Sequence, residues 1–310
     1  MFSVIIPTYN NASGITAAIS SVLNQSRNDF EVIVVDDGST DNTEEVVYSL
    51  NDNRIKYFKL EKNRGVHVAR NLGLEQASGQ RIVFLDSDDE LFLSCLEEFY
   101  KVASQYPSTG FCIAPYLTNT NELTCLTLKE SGFVKYEDLL CERLSRRIKP
   151  GIVSLDASLA KSRKFVAQNL DFIYYRYIMK STDNYYLAKP LGRYNLNHDL
   201  NALHVNRKVP NISRSILRGV ALNEFLKDFK SDYLKHCPAS YSRCAYGAGV
   251  GLVLQGHYVA GFTRSKEAFR YGPFKLKYLA LFLLSTLPVL STLALKLGFR
   301  LKKLWYARRS

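Results

Sequence analysis

The chain has 310 residues, 41 Lys and Arg against 29 Asp and Glu, and a formal net charge of +12. Its 46% hydrophobic and 23% charged residues are ordinary for a folded protein of one large or two modest domains, and no fixed-period self-similarity is present. Disordered, collagen-like and repeat architectures are therefore excluded. The charge is concentrated: residues 201–310 hold 19 Lys/Arg and 4 Asp/Glu, an excess of +15, which leaves −3 for residues 1–200. A near-neutral front joined to a basic tail predicts an anionic partner for the tail, and nucleic acid and an anionic membrane surface both qualify. The six cysteines lack C-x-x-C or zinc-type spacing and read as reduced thiols. No charged n-region or cleavage site precedes Phe2–Ile6, so the front is expected in the cytoplasm.

Residues 1–100 alternate strand and helix signals. Phe2–Pro7 is an apolar β-rich run, followed by helical spacing over Ile15–Leu23. Glu31–Val35 is a second buried-strand run ending in Asp36-Asp37-Gly38-Ser39, and Thr43–Leu50 is helical, with Thr40 and Asp41 available to cap it. Ile55–Leu60 reads as a third strand and Val66–Gln76 as a helix. Arg81–Leu85 is a fourth strand, running into Asp86-Ser87-Asp88-Asp89, and Leu91–Gln105 is a helix stopped by Pro107. This alternation predicts a mostly parallel, doubly wound α/β sheet, with polar residues gathered where strands end and ligands bind. Phe111–Thr118 and Glu122–Lys129 flank Asn119-Thr120-Asn121 as a hairpin pattern. Helical stretches are expected at Tyr136–Arg146, Asp171–Met179 and Ser213–Tyr233.

Several chemistries are excluded by missing motifs. No G-x-G-x-x-G follows the first strand, no G-x-x-x-x-G-K-[ST] loop exists, and there is no G-x-S-x-G elbow. What remains is carboxylates at strand ends. Asp86 and Asp88, two residues apart, suit a hard divalent cation (manganese or magnesium) shared with substrate phosphates. The same run also reads as an acidic turn capping the next helix. Asp36-Asp37-Gly38-Ser39 has two readings as well: a tight turn leading into a helix cap, or an aspartate that accepts hydrogen bonds from a base or ribose.

The order of the blocks narrows these alternatives. Val4-Ile5-Ile6-Pro7-Thr8-Tyr9-Asn10, Val34-Val35-Asp36-Asp37-Gly38-Ser39-Thr40-Asp41, Asn63 to Gly73, and Phe84-Leu85-Asp86-Ser87-Asp88-Asp89 occur in succession. Over residues 2–100 the chain closely resembles the inverting family-2 glycosyltransferases of bacterial surface-polysaccharide type, which have a GT-A fold. The resemblance implies a nucleotide-sugar donor, expected to be a UDP-sugar, and a divalent metal as cofactor.

 The resemblance implies that Pro7 and Tyr9 line the nucleotide base and that Asp37 bonds its uracil-like edge. Arg70 and Asn71 fall in the nucleotide-side motif, Asp86 faces the ribose or the metal, and Asp88 is the metal ligand nearest the diphosphate. The family's base is an aspartate after a glutamate at the start of a helix in the second half. Asp171 holds that place here, with Leu170 where the glutamate would stand; a helix-terminal acid is the alternative role for Asp171, and Asp156 is a weaker rival for the base. No Q-x-x-R-W motif is present, which favours transfer of one sugar over processive polymerisation.

The expected organisation is a nucleotide-sugar-binding GT-A half over residues 1–110, an acceptor-binding half with the base over 111–205, and a helical basic extension over 206–310. Within the extension, Tyr278–Leu295 carries no charge over 18 residues and is flanked by Lys275, Lys277, Lys296 and Arg300. As a helix it would reach about 27 Å, against a hydrocarbon core of about 30 Å, and Pro288 would kink it. An interfacial or re-entrant segment, a span and a buried core hairpin all remain open. The uncharged run favours a membrane over nucleic acid. The expected partners are therefore a nucleotide-sugar donor, a glycan or lipid-linked acceptor and an anionic membrane surface, with the protein peripheral on the cytoplasmic face of the inner membrane. A non-catalytic nucleotide-sugar-binding or scaffold protein is the alternative.

Overall fold

The first strand, β1 (Phe2–Thr8), is buried along its whole length. Val4 and Ile6 enter one apolar cluster and Ile5 the other. Both faces of the strand are covered, which is why its sequence is a continuous apolar run and does not alternate. The computed structural model describes residues 1–123, 130–141, 151–166, 171–195, 212–272, 279–280 and 295–297. Leu170, residues 124–129 of the expected hairpin, residues 142–146 of the expected helix and nearly all of the Tyr278–Leu295 run lie outside them.

After β1 come α1 (Ile15–Leu23), β2 (Phe30–Asp36), α2 (Thr43–Ser49), β3 (Ile55–Lys59), α3 (Val66–Gln76) and β4 (Arg81–Phe84). All three pairings among these strands are parallel. The chain continues through β5 (Glu90–Leu91), α4 (Cys95–Gln105), β6 (Thr109–Ala114), β7 (Tyr116–Thr118), β8 (Gly132–Val134) and α5 (Tyr136–Cys141). It then forms β9 (Ile152–Asp156), α6 (Ala157–Lys161), α7 (Asp171–Lys180), β10 (Asp183–Tyr186) and β11 (Gly192–Tyr194). One eight-stranded sheet has the order β3-β2-β1-β4-β9-β6-β10-β8, and β5-β11-β7 form a small second sheet. Strands from both sides of residue 110 thus share one sheet.

The large sheet is mostly parallel, as expected, with β9 running antiparallel to both β4 and β6. Of the expected hairpin, the described residues show the turn, with the Thr118 amide donating to the Glu122 carbonyl at 2.8 Å and Leu117 bridging Leu123 in antiparallel sense. Its first arm divides between β7 and the fully buried β6, which pairs with β9 and β10 inside the large sheet. Leu91, expected to open a helix, instead pairs with Gly192 in β5.

Helices α1 and α4 cover one face of the large sheet through Ile15, Ile19, Val22, Leu96, Phe99 and Val102. Helices α3, α6 and α7 cover the other through Ala69, Leu74, Ala160, Tyr174 and Ile178. The chain divides into two compact units, Met1–His198 and Asp199–Ser310. In the second unit, α8 (Ile212–His236), α9 (Pro238–Gln255) and α10 (Tyr258–Tyr271) bury Leu222, Phe225, Phe229, Tyr241, Ala245 and Val253. Helices α8 and α9 approach so closely that a Cβ on Gly219 would lie 2.4 Å from Gly251 Cα. Among the described residues, no helix is long and apolar enough to cross a membrane.

Candidate active site

Strand order reverses at β1, whose neighbours β2 and β4 lie on opposite sides. The loops leaving these strands open at this switch point, the usual ligand crevice of an open α/β sheet. Asp36 closes β2 and is fully buried. Its carboxylate accepts from the Ser39 amide at 2.7 Å and from the Tyr57 hydroxyl. Asp37 accepts from the amides of Arg64 and Gly65, both at 2.7 Å, and burial pushes its carboxyl above the usual range. The chain turns away at Gly38, with φ of +78°, where a Cβ would meet the Lys62 carbonyl carbon at 2.6 Å. A side chain there is excluded both by the backbone region and by the contact. Asn10 ties the loop after β1 to the loop after β2: its amide donates to Ser39 Oγ, and its Oδ1 accepts from the Thr40 amide, each at 2.8 Å. Pro7 is buried in β1, whereas Tyr9 beside it is 40% exposed.

Beyond β4, the Asp89 amide donates to the Asp86 carbonyl at 3.0 Å, making a tight acidic turn. Asn11 Nδ2 holds the turn from one side by donating to Ser87 O and Oγ, both at 2.9 Å. Asn195 holds it from the other, with Nδ2 donating to Asp88 O at 2.8 Å and its amide to Asp89 Oδ1 at 3.2 Å. Helix α4 begins only at Cys95, so the turn is not its cap. Oxygens of Asp86, Asp88 and Asp89 lie within 4.8 Å of one another. Three hard oxygen donors that close, with bound phosphates to complete the shell, fit magnesium or manganese. Asp89 is an addition to the pair expected from sequence. It is buried, and a residue directly following a D-x-D pair gives no sign in sequence of whether it turns inward.

Arg70, on α3, joins this turn to α7. Its Nη2 donates to Asp86 Oδ1 at 2.8 Å, and its Nη1 lies 3.0 Å from Asp171 Oδ2. Burial disfavours the guanidinium charge, but the Asp171 and Asp86 carboxylates outweigh it and hold the group charged. Asp171 is the first residue of α7, and its carboxylate pairs with Arg70. Its Oδ1 is buried and, among the described residues, has no hydrogen-bond partner. Asp156, the rival, caps α6 by accepting from the Ser158 and Leu159 amides, so its carboxylate is occupied by that helix end.

Asn71, expected on the nucleotide side, bonds both backbone groups of Phe165: Nδ2 donates to the carbonyl at 2.9 Å, and Oδ1 accepts from the amide at 2.8 Å. His67 was not singled out from sequence. Its Nδ1 is buried without a hydrogen bond, and burial lowers its pKa against the opposing pull of Asp37 and Asp171. Its only signal was membership of the Asn63–Gly73 block.

A family profile described as Glycosyl transferase family 2 matches residues 3–170. The chain is 38% identical over 150 residues to a Campylobacter jejuni protein named GalNAc(5)-diNAcBac-PP-undecaprenol beta-1,3-glucosyltransferase; the match covers 46% of this chain and 48% of that protein. It is 45% identical over 97 residues to Escherichia coli UDP-Glc:alpha-D-GlcNAc-diphosphoundecaprenol beta-1,3-glucosyltransferase WfgD, covering 31% of this chain and 38% of the relative. The chain thus spans about half or less of the length of these two relatives. Staphylococcus aureus TarS 1–349 in complex with UDP-GlcNAc has a similar fold, with a TM-score of 0.63 at 19% identity, covering 100% of this chain and 92% of TarS 1–349. The complex with UDP gives 0.62, covering 92% and 89%. With more than half of its length matched by the family profile and the GT-A architecture in place, the chain belongs to glycosyl transferase family 2.

Proposed function

We propose that the protein transfers a single sugar from a UDP-sugar to a glycan or lipid-linked acceptor in bacterial surface-polysaccharide assembly, inverting the anomeric carbon. The observation that carries this reading is the meeting of the Asp86, Asp88 and Asp89 carboxylates with Asp171 through Arg70. A site for a charged diphosphate then adjoins a site for proton removal. The names of the two glucosyltransferases support a diphosphoundecaprenol-linked acceptor, and the TarS complexes support a uridine nucleotide.

In this mechanism Pro7, Tyr9 and Asp37 receive the base, while Arg70 and the loop before α3 border the nucleotide side. Asp86, Asp88 and Asp89 would hold the divalent cation, which when bound offsets negative charge on the diphosphate leaving group. The acceptor hydroxyl oxygen forms a bond to the anomeric carbon as the bond from that carbon to the UDP oxygen breaks, with the electron pair leaving on UDP. Asp171 takes the hydroxyl proton. A single displacement of this kind inverts the carbon. The basic C-terminal stretch, with its +15 excess over residues 201–310, keeps the protein at the cytoplasmic face of an anionic membrane, where such acceptors are carried.

The test is a panel of UDP-, GDP- and dTDP-sugars with manganese, read by thermal stabilisation and by nucleotide release in the presence of a synthetic undecaprenyl-diphosphate-linked sugar. A UDP-sugar should stabilise the protein and turn over, and Asp171→Asn should lower kcat at least about 100-fold while UDP still binds. Absence of turnover and stabilisation with every donor would reject the reading.

A further inference from the structure

Arg70 is committed to two partners from distant parts of the chain. Asp86 lies just beyond β4, and Asp171 opens α7. The guanidinium side chain is 8% exposed and reaches each through a different terminal nitrogen, at 2.8 and 3.0 Å. The Nη2 contact with Asp86 is a hydrogen bond and the Nη1 contact with Asp171 an ion pair, so one planar, rigid guanidinium holds both carboxylates at set distances, which a single ammonium cannot do. Its floor is fixed too. The guanidinium carbon lies 5.5 Å from the centre of the Phe165 ring, and Asn71, the next residue on α3, clamps Phe165 by both backbone groups. Phe165 in turn stacks on Tyr174 of α7 at 3.9 Å between ring centres. Asp171 is thus held by Arg70 at Oδ2, while its side chain stays 29% exposed.

We propose that Arg70 is the positioning residue of the base: its ion pair holds the Asp171 carboxylate relative to the Asp86 turn, where that carboxylate takes the acceptor's proton. The proposal rests on the reading of Asp171 given above and adds a role for Arg70 beyond the nucleotide side. Arg70 touches no reacting atom in this scheme. It acts on kcat through Asp171, and its contact with Asp86 sets where the base stands relative to the donor.

A double-mutant cycle in the full chain separates this role from a donor-binding one. The variants are Arg70→Lys, Asp171→Asn and the pair, read by kcat with the UDP-sugar that turns over and by manganese-dependent UDP affinity. Arg70→Lys should lower kcat about tenfold or more and change UDP affinity by less than about threefold. In the Asp171→Asn background it should cause no further loss in kcat. A full additional loss in that background, a drop in UDP affinity that accounts for the whole effect, or wild-type kcat in Arg70→Lys would each overturn the positioning role. An active Asp171→Asn protein would instead overturn the assignment of the base, so the two failures are distinguishable. Thermal melting checks that each variant folds. Arg70→Gln, close in shape and carrying two donors, runs through the same cycle should the Lys variant not fold.

Discussion

At the scale of single residues, the site separates acids by their partners. Asp36, Asp37 and Asp156 accept from backbone amides near them and hold loops or helix ends in place. Asp86, Asp88 and Asp89 converge on one another, and Asp171 turns to Arg70. Like-charged carboxylates this close repel unless a cation or a hydrogen-bond donor intervenes. Arg70 supplies one positive charge at Asp86, and a bound divalent ion would supply the rest. Asp88→Asn should therefore lower kcat about 100-fold or more and remove most of the manganese dependence of UDP stabilisation; thermal shifts with UDP, with and without manganese, check this. Sequence pointed to Asp86 and Asp88 because they sit in an ordered block, and to Asp171 because it holds the place of the family's base. It could not separate Asn71, a clamp on Phe165, from Arg70 beside it, because both lie in one motif and only their partners differ.

At the scale of elements, a buried acid joins three segments that hold the nucleotide-side sheet together. Glu31 on β2 accepts from Ser3 on β1, from the amide and hydroxyl of Ser78, from the Gly79 amide and from Lys56 on β3. Burial opposes its charge, but these donors prevail and take its pKa from the ordinary 4.5 to about 2. A depressed acid stabilises the fold above its unfolded pKa, and that contribution is lost as pH falls from about 4.5 toward 2. The shift corresponds to roughly 2–3 kcal/mol. Glu31→Gln should therefore lower stability at pH 7 by about that amount, with the gap to wild type narrowing below pH 4.5, as measured by urea unfolding at a series of pH values. This interior role was invisible in sequence, where Glu31 is simply the first residue of the run Glu31–Val35. The strands and helices of residues 1–84 were legible there because each carries its own periodicity. Strand β9 was not, since Ile152–Asp156 is short and its place depends on β4 and β6, which flank it.

At the scale of the whole molecule, the two units have different foundations. The first is a sheet covered on both faces. The second contains helices packed backbone to backbone where Gly219 meets Gly251. Gly251→Leu should destabilise the second unit by about 1–3 kcal/mol or more through overpacking, while manganese-dependent UDP binding in the first persists; thermal unfolding followed alongside UDP binding checks both. The +15 excess over residues 201–310 predicts salt-sensitive sedimentation with vesicles containing anionic phospholipid, with basic residues near the surface contributing about 1 kcal/mol each. Removing residues 273–310, which spares α10, should abolish most of that sedimentation. Equal binding before and after removal would place the membrane contact elsewhere.

Sequence alone determined the family, the α/β alternation of the first 100 residues, the acidic D-x-D turn and the contrast between a near-neutral front and a basic tail. These are local properties: a strand end, a turn and a charge count are written in consecutive residues. Tertiary structure alone decided that β9 runs antiparallel inside the sheet, that Asp89 joins Asp86 and Asp88, that Asp156 is spent on a helix end, and that Arg70 reaches both Asp86 and Asp171. Arg70 and Asp171 are 101 positions apart, and what joins them is the packing of α3 and α7 on the same face of the sheet. Side chains brought together by such packing share no sequence period, so their pairing is decided only when both helices bury their apolar faces.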